Sequence, residues 1–300
     1  MKTILRFVAL SSVVVALPAT AALNVFACEP EWGALAQELG GDKVSAYTAT
    51  TALQDAHRIE ARPSLIARIR SADLLVCSGS ELEIGWLPLL LTQSGNSKVR
   101  LGGPGYFEAS QYVVRLEIPK VIDRALGDLH PGGNPHIHTD PRNIARVAQA
   151  LEERMVQIDP ANADGYRSRA KSFLGRWQAA IARWEQQAAP LKGVPIVVYH
   201  KDFSYFINWV GMRETGSLEP KPGIPPTPSH LAELLDQMKR APAKVIIYSP
   251  YNSPQAAEFL STRANIPTVM MPFTVGGTDK AKDLFGLFDD MIGRLLATIK

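Results

Sequence analysis

Histidines at positions 57, 136 and 200 and an aspartate at 279 are the side chains of this 300-residue chain best placed for metal chemistry. His57 lies in Asp55-Ala56-His57, His136 in Asn134-Pro135-His136, His200 at the end of Val197-Val198-Tyr199, and Asp279 after Gly276-Gly277. Each falls on a loop or just past an apolar run, where rigid elements present functional groups. Three imidazoles and one carboxylate form a closed four-coordinate set that suits borderline-soft zinc. Catalytic zinc needs an open position for water and a nearby base. A saturated set therefore predicts capture and carriage of the metal. The alternative is a zinc hydrolase, with Glu219 as its base.

Two of the four positions have rivals. His138 follows His136 by two residues, so in an extended segment both rings share a face. One then binds metal while the other packs or supports it, and the spacing leaves both His136 and His138 open. Asp283 competes with Asp279, but it reads as a helix-start residue favoured by the dipole. His130, in Leu129-His130-Pro131, is a candidate accessory ligand. His230 reads as structural, and Trp177 and Trp184 as core.

The elements that must position these groups alternate. Leu23–Cys28, Val44–Thr50, Asp73–Ser78 and a weaker run near Lys98–Leu101 read as strands, with helices at Trp32–Leu39 and Ser64–Ser71. From Asp159-Pro160 to Pro190, apolar residues recur every three or four positions through Tyr166, Phe173, Trp177, Ile181 and Trp184. That predicts one helix ~45 Å long at 1.5 Å per residue. Beyond it, strands at Val194–Tyr199, Lys244–Tyr248 and Ile266–Met271 alternate with helices at Pro228–Lys239, Pro254–Arg263 and Lys282–Thr298. The pattern calls for an α/β fold of two lobes, each with a mainly parallel sheet flanked by helices, joined by one long helix. Its divisions are a signal segment at 1–22, a first lobe at 23–158, the connecting helix at 159–190 and a second lobe at 191–300.

The N-terminus carries a basic start (Lys2, Arg6), an apolar run from Phe7 to Pro18, and Ala19-Thr20-Ala21. This is an export signal cleaved near Ala21 or Ala22, too short for a membrane anchor. The expected location is the periplasm. Removing Lys2 and Arg6 takes the formal charge from +3 to +1, and no basic block marks a nucleic-acid or anionic-membrane partner. Cys28 and Cys77 end two apolar runs. If those strands are neighbours, the thiols lie within disulfide reach in an oxidising compartment; the alternative is two inert buried thiols.

Beyond these readings, Asp55-Ala56-His57 ahead of Pro63-Ser64 resembles an Asp-Pro-His…Pro-Ser motif. Gly133-Asn134-Pro135-His136-Ile137-His138-Thr139-Asp140-Pro141 resembles Gly-Asn-Pro-His-x-Trp-x-Asp-Pro. Val198-Tyr199-His200 precedes Phe203, Tyr205 and Phe206, and Glu219-Pro220 precedes Pro228-Ser229-His230-Leu231. Thr274-Val275-Gly276-Gly277 is followed by Asp283-Leu284-Phe285-Gly286. In this order the motifs resemble the zinc/manganese solute receptors of ABC importers (cluster A-I), in their zinc-type branch. The chain departs from the pattern at Ala56, where members have Pro, and at His138, where they have Trp; alignment to the motif implies His136, not His138, as the ligand. The resemblance covers the mature chain. It implies two α/β lobes with metal in the cleft and a monomeric periplasmic receptor. That receptor would pass a zinc ion, as cargo, to an ABC permease of the inner membrane, with a periplasmic metallochaperone as a further partner. A manganese-type receptor is the alternative within the family; an imidazole at position 200, where manganese types carry a carboxylate, favours zinc.

Overall fold

The structure, a computed structural model, describes residues 22–299 apart from 124 and 126. The export signal lies outside the described residues. The first sheet contains β1 (Leu23–Ala27), β2 (Val44–Thr48), β3 (Leu74–Cys77) and β4 (Tyr106–Glu108) in the order β2-β1-β3-β4, all parallel. Its central strands are apolar apart from exposed Asn24 near the start of β1, because helices cover both faces. α1 (Pro30–Gly40) covers one face, and α2 (Pro63–Arg70) and α3 (Leu87–Ser94) pack together over the other. α1 and α2 begin on prolines, whose missing N–H costs nothing in a first turn.

The second sheet repeats the plan with β5 (Pro195–Val198), β6 (Arg213–Ser217), β7 (Val245–Tyr248) and β8 (Thr268–Met270) in the order β6-β5-β7-β8, again parallel. Between the sheets run α4 (Pro141–Ile158) and α5 (Ala163–Ala188). α5 has 26 residues, about 39 Å at 1.5 Å per residue. It packs on α1 and α4 at one end and on α9 (Leu284–Thr298) at the other. Trp177 packs edge-to-face against Phe285 and Phe288 of α9, Trp184 lies tilted against Phe288, and one apolar core runs unbroken from β1 to α9. α6 (Ser204–Val210), α7 (Pro228–Arg240) and α8 (Gln255–Ala264) complete the second lobe. Among the described residues no helix is long and apolar enough to cross a membrane.

Cys28 and Cys77 follow and end adjacent parallel strands, and they form a disulfide across a Cα–Cα distance of 4.8 Å. Two local expectations fail. Lys98–Leu101 is a turn, in which Asn96 Oδ1 accepts from the Lys98 N–H and the Lys98 carbonyl accepts from the Gly105 N–H; the fourth strand starts at Tyr106. The 136–140 segment is not extended, because Ile137–Thr139 form a 3₁₀ turn.

Candidate metal centre

β2 ends at Thr48, and the loop beyond it is pinned by the Trp86 indole N–H, which donates to the Ala56 carbonyl at 2.9 Å. This bond fixes the loop at the position where the resembling family carries proline. Asp55 then folds an Asx turn: its Oδ1 accepts from the His57 backbone N–H at 3.0 Å and lies 2.7 Å from His57 Nδ1. Burial would raise the Asp55 pKa, but the His57 hydrogen bonds and charge outweigh it and hold the carboxyl below its usual value. With Nδ1–H committed to a carboxylate, the Nε2 of His57 is the free ligand atom.

His200 directly follows β5. Its Nδ1 lies 2.7 Å from Glu219 Oε2, which also accepts from the Gly223 N–H at 2.9 Å. Glu219 does for His200 what Asp55 does for His57. Burial alone would depress His200; the Glu219 hydrogen bond and the charges of Asp202, Glu219 and Asp55 win, pushing its pKa up to about 9.

His136 is placed by the second lobe. Tyr205 donates its hydroxyl to the Asn134 carbonyl at 2.7 Å, and Asn134 Oδ1 accepts from the His136 N–H at 2.9 Å. The ring is only 2% exposed, yet neither nitrogen has a hydrogen-bond partner. Burial, then the nearby imidazoles His57 and His200, push its pKa well below the usual value, keeping it neutral and able to coordinate. A buried imidazole with both nitrogens unsatisfied is costly, and a bound cation removes that cost. Asp202, buried 3.8 Å from His136 Nε2, has its oxygens engaged by Ser249 and Tyr251.

The ligand atoms of His57, His136 and His200 lie within 4.8 Å of one another. His57 and His200 border one cleft with Tyr199 and Glu219, and His136 and His200 border a second with His130. Asp279 is not brought into this group: it is exposed on the turn closed by the Gly276 N–H and the Ala281 carbonyl. Asp283 caps α9, accepting from the Gly286 N–H at 2.7 Å. His138 turns away from His136 because of the 3₁₀ turn, with Nε2 3.0 Å from the Phe273 carbonyl and Nδ1 3.0 Å from Glu31. His230 is structural, its Nε2 2.8 Å from the Ser217 carbonyl. Sequence reasoning missed Asp55, Glu31 and Asp202. A carboxylate two residues before a candidate ligand was the available signal for Asp55; nothing local marks the other two.

Known proteins share this layout. The "High-affinity zinc uptake system protein ZnuA" of Yersinia pestis is 24% identical over 227 residues, 70% of each chain. The protein of the same name from Brucella abortus (strain 2308) is 26% identical over 120 residues, covering 40% of this chain and 36% of that one. Among solved structures, "Crystal structure of ZnuA" superposes with a TM-score of 0.75 at 20% identity, covering 91% of this chain and 99% of the other. A Mn-bound periplasmic metal binding protein from Candidatus Liberibacter asiaticus gives 0.74 at 18% identity, covering 93% and 100%. These structures share the two-lobed fold. The family model "ZnuA: Zinc-uptake complex component A periplasmic" matches residues 25–298, and the chain belongs to that family.

Proposed function

We propose that this chain is a periplasmic, monomeric receptor that captures a zinc ion as cargo and hands it to an ABC permease of the inner membrane. A metallochaperone is a source from which it can be charged. The observation that carries this reading is the three-histidine cluster. Two imidazoles are oriented by carboxylates so that Nε2 points inward, and the third is buried with both nitrogens unpartnered. An all-imidazole set favours zinc over manganese, whose preferred donors are oxygen. The names of the Yersinia and Brucella relatives support the same metal.

Against the hydrolase alternative, Glu219 Oε2 engages both His200 Nδ1 and the Gly223 N–H, which favours orienting a ligand over activating water. Zinc loading of the mature chain followed by dialysis and elemental analysis tests the reading. One zinc per chain is expected, falling to trace in His136→Ala, with no turnover of esters or peptides. A chain that retains no stoichiometric zinc overturns it.

A further inference from the structure

Cys28 and Cys77 bring a third group with them. The two sulfurs and a carboxylate oxygen of Glu83 all lie within 4.8 Å of one another, and all three residues are buried. The cluster sits at the carboxyl ends of β1 and β3 and shares no residue with the three-histidine centre. Glu83 is put there by a turn. Gly79, Ser80 and Glu81 have φ angles of 76°, 50° and 67°, and the Gly79 N–H meets both carboxylate oxygens of Glu83 at 3.2 Å. A left-handed conformation is unfavourable for Ser and Glu, and such strain gathers at functional sites.

A disulfide is neutral and needs no carboxylate beside it, whereas burying one is costly. Glu29, directly after Cys28, adds a second. It is hydrogen-bonded to Glu83, and its Oε2 accepts from the Ser78 N–H and hydroxyl, each at 3.2 Å. Two buried carboxyls in contact hold a proton between them, and a divalent cation can take that proton's place. Thiolate sulfur and carboxylate oxygen are both zinc ligands. Two thiolates on one tetrahedral zinc at ~2.3 Å stand roughly 3.8 Å apart. The Cα–Cα distance of 4.8 Å permits that spacing once the S–S bond is open. A way in exists, because Gly79 and Glu83 line a groove of about 460 Å³ bordered by Leu87 and Leu91 of α3 and by Tyr106 of β4.

We propose that the reduced chain carries a second zinc site, formed by Cys28, Cys77 and Glu83, with one position left for Glu29 or water. Reduction takes two electrons and two protons from a dithiol, which leaves as its own disulfide. Zinc then displaces both thiol protons and is held by two thiolates and a carboxylate. The pair either closes as a disulfide or holds metal, so the oxidised chain lacks the site. The proposal stands apart from the three-histidine reading.

The test loads zinc into the full mature chain, oxidised and after reduction by a dithiol that is then removed without air. The reduced chain is expected to hold one zinc more than the oxidised chain. Co²⁺ in its place should give the near-ultraviolet charge-transfer absorption of thiolate ligation. Cys28→Ala with Cys77→Ala should abolish both. Glu83→Gln, which keeps both thiols, should weaken the added zinc at least tenfold. A reduced His136→Ala chain, without its cleft zinc, should still hold one, and that zinc should raise its melting temperature. The melting shift guards against binding by unfolded thiols. The proposal is overturned by the absence of an added zinc or of the thiolate band, by a chain that reduction unfolds and zinc does not restore, or by unchanged affinity in Glu83→Gln. If the oxidised chain holds no zinc and the reduced chain holds one, the cleft reading fails and this one stands.

Discussion

His138 Nε2 lies 3.0 Å from the carbonyl oxygen of Phe273, joining the ligand segment to the tail that follows β8. The same ring meets Glu31 of α1 at 3.0 Å, and Glu31 Oε2 accepts from the Thr274 hydroxyl. One imidazole, 1% exposed, thus bolts the first lobe to the second. It stands where the resembling family has tryptophan. An imidazole places a second ring nitrogen beside Glu31, where an indole has a single N–H. His136, two residues earlier, is left free for metal.

This division of labour separates two substitutions. His138→Ala leaves buried Glu31 with only the Thr274 hydroxyl beside it and opens the seam between the lobes, which costs on the order of 3 kcal/mol of stability, while zinc stoichiometry stays at one. His136→Ala should do the reverse, abolishing zinc binding with little loss of metal-free stability. Urea denaturation together with zinc analysis reads both. A His138→Ala chain of native stability that has lost its zinc would show that the ligand assignments of the two residues are exchanged.

The pH dependence of capture follows from His200. Its pKa of about 9 means that the metal-free ring is protonated at neutral pH, and zinc must displace that proton. Apparent affinity should therefore rise as pH increases toward 9, by up to about tenfold per unit, and flatten above it. Calorimetry near pH 7.5 in buffers of different ionisation enthalpy should find close to one proton released per zinc. Glu219→Gln removes the charge that raises the pKa and should lower that number. Proton release unaffected by Glu219→Gln would place the proton on another group.

A second titration sits away from the metal. Burial raises Glu83 to about 7, although hydrogen bonds from Glu29 and the Gly79 N–H oppose the shift. Glu29 is raised well above its usual value by burial and then by the charges of Glu83 and Glu31. A carboxyl whose folded pKa is raised contributes stability that is fully present below its unfolded value, near 4.5, and lost as pH climbs through 7. Glu83→Gln should thus stabilise the protein at pH 8 by on the order of 2 kcal/mol and make little difference at pH 4.5. Thermal melts at the two pH values test it; an equal shift at both would place the effect in packing.

The Cys28–Cys77 bond closes a loop of sequence separation 49. Restricting such a loop in the unfolded chain is worth about 4 kcal/mol in the entropic picture. Cys28→Ala with Cys77→Ala should lower the denaturation midpoint by a corresponding amount while leaving zinc stoichiometry unchanged. Thiol titration of the native chain under denaturing, non-reducing conditions should find no free thiol.

What could be read from the sequence tracks where the free energy of folding is local. β3, β5 and β7, and β1 apart from exposed Asn24, are short apolar runs that declared themselves. β6, Arg213-Glu214-Thr215-Gly216-Ser217, is a polar edge strand that exists because β5 pairs with it, so nothing in its composition marks it. Lys98–Leu101 looked like a strand because the turn is imposed by Asn96 and the contacts of Gly105. His57 and His136 stood out through the motifs around them, and His200 because it also directly follows an apolar strand. Their supports did not, since Glu31 meets His138 only after the chain has run 107 positions further on.

The long helix decides how the cargo is released. α5 touches α1, α4 and α9, and its aromatic stripe belongs to a core shared by both lobes. A wide hinge motion would have to break that core, exposing Trp177 and Trp184, each 0% exposed. Burying such a side chain is worth roughly 1.5–3 kcal/mol, so opening by a hinge is expensive and local loop motion is the cheaper route. The segments that carry ligands, 49–62 and 127–140, lie between the strands and α-helices, so they can shift without dividing that core, with Trp86 to Ala56 and Tyr205 to Asn134 among the bonds that tie them to the frame. Solution scattering should give nearly the same radius of gyration with and without zinc. Hydrogen exchange should slow on zinc binding chiefly in those two loops, and much less in the turn that carries Asp279. A change in radius of gyration of several ångströms, with protection spread evenly over both lobes, would mean that the core divides and the protein closes as a hinged clamp.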